Sequence, residues 1–225
     1  MIEINYNIID FNLHTKLISF IFYLYNLMSK TNRDWKKSDK AFNEIWPFIE
    51  KIYEDKFDKK ICKLEKASND EDINNSIDSW IVFEDGSRIP IQQRVQFAEN
   101  KKGYFPYSPT IRFSRSKNTN GHEISEFDKI KENIEKGAPY PEFLIHAVVD
   151  TNTREIKQLY IVDLTKFFNN YANDEYCICF YDSKKKINPT SKKIITVREN
   201  DDDSSEFATL WAHYIEDIII YSYYL

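Results

Sequence analysis

The sequence predicts a mixed α/β domain, and three observations lead to this fold class. Segments with the period-two alternation of strands and segments with the three- and four-residue spacing of amphipathic helices follow one another along the chain. The clearest strand signal is a hairpin over residues 76–96, SIDSWIVFEDGSRIPIQQRVQ. The 225 residues, 42% hydrophobic and 16% aromatic, suffice for one domain with a sizeable core.

The composition limits the classes of partner and the cellular setting. A formal net charge of −5 argues against a uniformly basic nucleic-acid binder. Local basic runs at 101–102, 112–117 and 184–186 remain candidate anion contacts, with an ordinary solvated surface as the alternative. Three cysteines form no even disulfide framework, which is typical of a reducing cytoplasm. The four histidines fit no catalytic motif and are interpreted as structural or surface residues.

The first 37 residues form an N-terminal segment without an assigned role. Its apolar run, LISFIFYLYNL at 17–27, is too short and too interrupted by polar residues to span a membrane. The acidic residues Glu3 and Asp10 precede it, Lys16 is its only basic flank, and it lacks the small-residue cleavage site of a signal peptide. We therefore expect no membrane association. Translation from Met28 instead of Met1 stays open, because the sequence after Met28 has the charged character of a soluble start.

The first predicted element is a helix from Ser38 to Phe57. Ser38 or Asp39 can cap it, and its apolar residues recur at three- and four-residue steps. Pro47 predicts either a kink or the start of a second helix. The polar residues 66–75 then predict a connection without regular structure.

The hairpin follows, with strands at 77–83 and 88–97 and a tight turn at Asp85-Gly86. Along the second strand, alternation separates an apolar face (Ile89, Ile91, Val95) from a polar one (Gln92, Arg94, Gln96). Asp78 precedes Gln92 by fourteen residues, a separation that brings its carboxylate beside the polar face across a hairpin.

The remaining chain predicts alternating strands and helices. In order, these are a strand at 110–114, a helix at 124–136 ended by Gly137, strands at 143–149 and 157–163 joined by a turn, a short helix at 165–171, a strand pair at 176–181 and 193–198, and a helix at 206–223. Residues 38–171 form the predicted α/β core. Residues 172–225 form a C-terminal strand and helix extension that we expect to pack on the same domain.

The hairpin resembles the core of the PD-(D/E)xK nuclease superfamily, which includes restriction endonucleases and archaeal Holliday-junction resolvases. In that family an Asp opens the hairpin, and an acid-x-Lys triplet follows on the next strand. Here Asp78 stands at the Asp position, and Gln92-Gln93-Arg94 stands where the triplet falls. Gln92 replaces a carboxylate by a neutral oxygen, and Arg94 replaces Lys. The order helix, three strands, helix, strand over about 38–163 also resembles the family's core.

The resemblance implies a restriction-endonuclease-like core with a C-terminal extension. It implies a nuclease that uses Mg²⁺ (or Mn²⁺) to hydrolyse phosphodiester bonds, acting on double-stranded or branched DNA. Asp78 and Gln92 would be metal ligands, completed by an acid from the first helix, for which Glu44 is the first choice and Glu50 the substitute. Asp72, in the connection, is the third choice. Arg94 would contact the scissile phosphate. Contacts to water or flanking phosphates would come from Gln96, Lys101, Lys102, Arg112 and Arg115.

Two other functions remain open at this level. A nuclease-fold module that binds nucleic acid or a protein without cutting would agree with the neutral Gln92 and the missing Lys. A structural or interaction protein would use the aromatic run YIEDIIIYSYYL at 214–225 as an oligomer contact, for example in a homodimer. No organic cofactor is expected. The Ile, Asn, Lys and Tyr bias indicates an AT-rich genome, and the resemblance extends to nucleases of archaeal viruses, which act in the host cytoplasm.

Overall fold

The protein is described here by a computed structural model, which covers residues 35–98, 108–115, 125–180, 193–199 and 205–224. Within these ranges the helices are α1 (Trp35–Phe57), α2 (Asn69–Asn75), α3 (Glu126–Lys136) and α4 (Leu164–Ala172). The strands are β1 (Ile61–Lys66), β2 (Ser79–Phe83), β3 (Arg88–Ala98), β4 (Thr110–Arg115), β5 (Phe143–Asp150), β6 (Ile156–Asp163), β7 (Tyr176–Phe180), β8 (Lys193–Glu199), β9 (Ser205–Leu210) and β10 (Ile219–Tyr224). Two short 3-10 turns at Ala212–Tyr214 and Glu216–Ile218 separate the last two strands. The predicted mixed α/β class is confirmed.

The strands form two mixed sheets. The main sheet has six strands in the order β1-β2-β3-β5-β6-β10, and the second sheet has four in the order β4-β9-β8-β7. In the main sheet β3 and β5 are parallel, and all other neighbours are antiparallel. Because parallel neighbours need a crossover, the chain leaves the main sheet after β3 and returns at β5 through β4 and α3.

Helix α1 covers one face of the main sheet. Its buried residues Phe42, Ile45, Ile49 and Tyr53 repeat at three- and four-residue steps and pack against β2, β3 and β5 in a first core. The helix continues through Pro47 as one element, where the sequence predicted a kink or a second helix start. Pro47 itself is exposed, and its buried neighbour Trp46 packs in the same core, which helps to keep both halves in place.

Two elements between α1 and the hairpin were not predicted from the sequence. The segment 66–75 contains α2, whose N-terminus carries a capping box in which Ser68 and Glu71 satisfy each other's backbone N–H groups. Strand β1 pairs with β2 at the edge of the main sheet. Only the first of its six residues is buried, so its apolar alternation is weak. The antiparallel trio of the main sheet is therefore β1-β2-β3.

The predicted strand at 110–114 exists, but it belongs to the second sheet. It pairs with β9, with Ile111 opposite Ala208. Ile111 is fully buried in a core separate from that of α1. Local alternation indicates a strand, whereas the choice of sheet depends on a partner almost a hundred residues further along the chain.

The predicted helix at 206–223 is wrong. The segment forms β9, the two 3-10 turns and β10. Its β-branched and aromatic residues favour strands where a sheet edge is available, and the chain offers two such edges, β4 for β9 and β6 for β10. Strand β9 thereby belongs to the second sheet, and β10 belongs to the main sheet.

The other predicted elements are confirmed, with shifts of at most two residues at their ends. The cap predicted for α1 is wrong, because the helix begins at Trp35 and Ser38 and Asp39 lie inside it. Helix α3 is capped by Ser125 and ends at Gly137, which has a positive φ of 63°. Strand β5 is buried at all eight positions because helices and the second sheet cover both its faces. Within the described ranges, no helix combines the length and the apolar character needed to cross a membrane.

A second core fills the other side of the main sheet. It joins that sheet to α3, α4 and the second sheet through residues such as Phe127, Leu144, Phe167 and Ile195. Successive side chains of β5 point to opposite faces of the sheet, so Ile145 belongs to the first core and Leu144 to the second. We call the side of the main sheet that faces the second core its inner face.

Candidate functional site

The hairpin of β2 and β3 places an acid opposite a buried amide on the inner face. Ser79 lies opposite Ile91, so the preceding residue, Asp78, lies opposite Gln92. Asp78 donates its backbone N–H to the Ile91 carbonyl over 3.0 Å. Its carboxyl Oδ2 accepts the backbone N–H of Gln93 over 2.7 Å. These backbone contacts fix the acid at the start of the second hairpin strand's polar face.

Asp78 has a strongly shifted acidity. As a residue it keeps some solvent exposure, but its carboxyl group is enclosed by protein. Loss of hydration is the main cause that raises its pKa to about 8, and the negative charges of Glu126 and Asp72 raise it further. The Gln93 N–H and the Arg94 guanidinium act in the opposite direction. At neutral pH Asp78 is therefore largely protonated.

Gln92 brings an unsatisfied polar atom to the same place. Its residue is 3% exposed, and its Oε1 has no hydrogen-bond partner among the described residues. A buried carbonyl oxygen without a partner costs about 1–3 kcal/mol. Such an atom, opposite a carboxyl group, is available to a cation or to water.

Arg94 is two residues further along the same face and is held by a carboxylate. Its Nη2 donates to Glu126 Oε2 over 2.7 Å, and its side chain is 18% exposed. Its guanidinium also lies 4.9 Å from the centre of the Phe207 ring in β9. The Nε of Arg94 is buried without a partner in the described part of the chain.

Glu126 joins three elements at this point. It is the first residue of α3, directly after the cap Ser125. Its Oε2 also accepts the backbone N–H of Arg112 over 3.0 Å, and its Oε1 lies 3.2 Å from Arg112 Nη1. Sequence reasoning missed Glu126, because an acid in the first turn of a helix is explained by the helix dipole alone. We call Asp78, Gln92, Arg94, Arg112 and Glu126 the Asp78 cluster.

His146 lies beneath the cluster. It is fully buried in β5, opposite Arg94 in the parallel register. Neither ring nitrogen has a partner among the described residues. Burial, followed by the positive charge of Arg94, lowers its pKa to about 3, so the imidazole is neutral. From the sequence, His146 was interpreted as a structural or surface residue, and its position beside Arg94 was not predicted.

The three acids chosen from the sequence to complete the metal site lie in different places. Glu44 and Glu50 are on α1, which covers the face of the main sheet opposite to Gln92 and Arg94. Asp72, on α2, lies close enough to Asp78 to raise its pKa. The pKa of Asp72 is itself raised, first by partial burial. Of the three acids, Asp72 is the one that electrostatic contact connects to Asp78.

The predicted phosphate contacts divide into three groups. Arg112 is part of the Asp78 cluster through Glu126. Gln96 is partly buried on the same strand face, opposite Val148. The backbone of Arg115 pairs with Ser205 at the edge of the second sheet. Lys101 and Lys102 lie outside the described residues.

The Asp78 cluster contains few ligands for a metal ion. Across the described ranges, no group of three or more His, Cys, Asp or Glu side chains could hold a metal ion by itself. Mg²⁺, however, is commonly bound by one or two carboxylates together with waters and substrate phosphates. The carboxyl group of Asp78 and the unpaired Oε1 of Gln92, on residues opposite each other in the hairpin, are two oxygen groups that could take part in such a site.

No protein-family model matches the chain, and no curated protein matches it.

Proposed function

We propose that the protein is a metal-dependent nuclease that hydrolyses DNA phosphodiester bonds, on double-stranded or branched DNA. The observation that carries this proposal is the position of Asp78 opposite Gln92, with Arg94 next on the same face. The restriction-endonuclease-like fold is part of the proposal. Its support is that β1, β2 and β3 form an antiparallel trio in the main sheet, within the chain order α1, β1, α2, β2, β3, β4, α3, β5.

Asp78 and Gln92 would hold Mg²⁺ or Mn²⁺ through oxygen atoms. The bound ion would lower the pKa of a water molecule and neutralise charge on the phosphate. Asp78 Oδ2 already accepts the Gln93 N–H, which leaves Oδ1 as the oxygen for a ligand. Because the pKa of Asp78 is raised to about 8, its carboxyl group must release a proton when a cation binds near neutral pH.

Arg94 and Arg112 would bind the phosphate. A guanidinium keeps its positive charge at every physiological pH and forms paired hydrogen bonds with phosphate oxygens. Arg94 cannot act as a proton acceptor, so it can stabilise charge without activating water. With Asp78 assigned to the ion, Asp72 is the nearby acid that remains for proton transfer.

A second candidate is a nuclease-fold module that binds nucleic acid without cutting it. Gln92 brings no charge to a cation, and Arg94 stands where the family has a Lys. The position of Glu44 on the α1 side of the main sheet also favours this candidate. Both candidates share DNA as the partner and differ in the chemistry.

The test compares wild type with Asp78→Asn on plasmid, linear duplex, single-stranded and four-way-junction DNA, with Mg²⁺ or Mn²⁺. Asn keeps the size of the side chain and an oxygen for the Gln93 N–H. We expect cleavage to fall by at least about a hundredfold, because an electrostatic contact that acts in the transition state is lost. The matched control is Asp55→Asn, an exposed acid on α1, which should cut like wild type.

The outcomes separate the candidates. Cleavage that disappears in Asp78→Asn and persists in Asp55→Asn supports the nuclease. Binding of DNA by pure, folded wild type without cleavage supports the recognition module. Neither binding nor cleavage with any of the four substrates contradicts both.

A further inference from the structure

One carboxylate in the Asp78 cluster holds two arginines from different sheets. We propose that Glu126 is a positioning residue that keeps the guanidinium groups of Arg94 and Arg112 side by side, as a clamp for one phosphate group. The inference rests on the proposed function, because it names the residue that prepares the phosphate contacts of the same site.

The contacts of Glu126 determine the positions of both arginines. Arg94 comes from β3 of the main sheet and Arg112 from β4 of the second sheet. Glu126 Oε2 accepts from Arg94 Nη2 over 2.7 Å, and its Oε1 lies 3.2 Å from Arg112 Nη1. The backbone N–H of Arg112 binds Oε2 as well, over 3.0 Å. The carboxylate is therefore anchored to the backbone of the strand that carries its second arginine.

The surroundings restrict the motion of these groups. The Glu126 and Arg94 side chains are 16% and 18% exposed, and the ring of Phe207 lies against the Arg94 guanidinium. The Arg112 side chain is 31% exposed, so the cluster opens to solvent on its side. Partial burial weakens solvent screening, which makes these ionic contacts stronger than surface pairs.

The charges of the cluster favour an anion. Two guanidinium groups face one carboxylate, that of Glu126. One positive charge is then left without a counter-charge from these residues. Each guanidinium has five N–H donors, so donors remain beyond those that bind Glu126. Phosphate, with several acceptor oxygens, matches such a pair of planar groups.

A positioning role and a purely electrostatic role predict opposite signs for Glu126→Gln. Loss of a negative charge beside two arginines should strengthen DNA binding if only the total charge matters. Loss of the carboxylate that aligns the arginines should weaken it. A Gln also presents an NH₂ group, which cannot accept hydrogen bonds from a guanidinium.

The experiment measures the affinity for a fluorescently labelled DNA duplex by anisotropy, from about 50 to 200 mM salt. We expect Glu126→Gln to bind about tenfold more weakly and to flatten the plot of log K against log salt by about one unit, because one phosphate contact is lost. The control is Glu132→Gln on the same helix, whose partner is the exposed Lys136. It should keep both the affinity and the slope. A residue that only stabilises the fold would leave the slope unchanged below the melting temperature.

A second probe, inorganic pyrophosphate, separates this inference from the proposed function. Pyrophosphate should raise the melting temperature of wild type more than that of Glu126→Gln, because a ligand stabilises the state that binds it. A Glu126-dependent shift without DNA binding supports the clamp and contradicts the nucleic-acid function. A wild type that binds DNA, with folded Glu126→Gln binding equally or more tightly, contradicts the clamp alone. A wild type that binds neither probe contradicts both.

Arg112→Lys keeps the test decisive if Glu126→Gln does not fold. The Lys preserves the charge but lacks the planar group that reaches Glu126 and a phosphate together. We expect weaker DNA binding for this variant as well. Unchanged affinity and salt dependence would overturn the clamp.

Discussion

The two faces of the main sheet are built from the same strands and are used in different ways. The face under α1 is closed by apolar side chains, among them Phe42, Ile49 and Ile145. The inner face has an apolar core of comparable extent, but beside it the sheet carries Gln92, Arg94 and His146. Buried atoms of these three residues lack partners within the described chain, whereas the α1 face has one such atom, Tyr53 Oη.

The difference shows where stability and function separate. Burying apolar surface stabilises the fold by about 25 cal/mol per Å², while each unpaired buried polar group costs about 1–3 kcal/mol. Several unpaired buried polar groups on one face, and few on the other, lower the stability of the fold at one defined place. Such places are expected to be functional. The comparison predicts that substitutions on the α1 face change stability, and that those on the inner face change binding and pH dependence.

The largest effect is expected on the α1 face. Phe42 is 1% exposed, and Phe42→Ala should lower the free energy of unfolding by about 3–5 kcal/mol, because it removes a buried ring and leaves a cavity. Urea denaturation measures the loss. Ile73→Ala, at a residue 62% exposed on α2, is the control and should change stability by less than about 0.5 kcal/mol. DNA affinity of folded Phe42→Ala should equal that of wild type, and a decrease would show that the faces are not independent.

The next effect concerns Asp78 and depends on pH. Its pKa is raised to about 8 in the folded protein, from about 3.9 in the unfolded chain. The stability that the neutral carboxyl group contributes to the fold is fully present below about pH 4. It is lost progressively as pH rises from about 4 through 8. Asp78→Asn should therefore gain stability over wild type as pH rises, by at most about 4 kcal/mol at pH 7. Urea denaturation at pH 4, 6, 7 and 8 measures this, and a pH-independent difference would contradict it.

The smallest of the three effects concerns His146 and has the opposite dependence on pH. The pKa of His146 is lowered to about 3, from an unfolded value of about 6.5. The stability of its neutral form is present above pH 6.5 and is lost as pH falls toward 3. Relative to wild type, His146→Gln should gain about 2 kcal/mol between pH 6.5 and pH 5. Thermal melts over this range measure the gain. Parallel curves for the two proteins would show that His146 becomes protonated in the folded state.

The sequence predicts the parts of the fold that local rules determine. The hairpin turn at Asp85-Gly86, the Gly137 cap and the apolar runs of β5 and β6 each depend on neighbouring residues. The capping box of α2 was readable by the same rules, since Ser68 and Glu71 have the required spacing. The polar composition of residues 66–75 instead led to the prediction of a connection without regular structure.

The elements that were misplaced depend on distant partners. Strand β4 and the segment 205–224 were wrongly placed because their pairing is decided by edges elsewhere in the fold. The same limit applies to the site. The approach of Asp78 to Gln92 follows from their fourteen-residue separation across a hairpin. The contact between Glu126 on α3 and Arg94 on β3 joins residues 32 positions apart, which no local pattern predicts.

The pairing of β4 with β9 also fixes the order in which the protein can form. Strands β1, β2 and β3 can assemble as soon as residues 61–98 have left the ribosome. The second sheet cannot close until residues 205–210 are synthesised, since β9 lies between β4 and β8. At about 5–20 residues per second, β4 waits for roughly 5–20 seconds without the strand that pairs with its backbone. The unpaired edge of β4 is thus an aggregation hazard in the nascent chain, and this interval is when a chaperone would be needed.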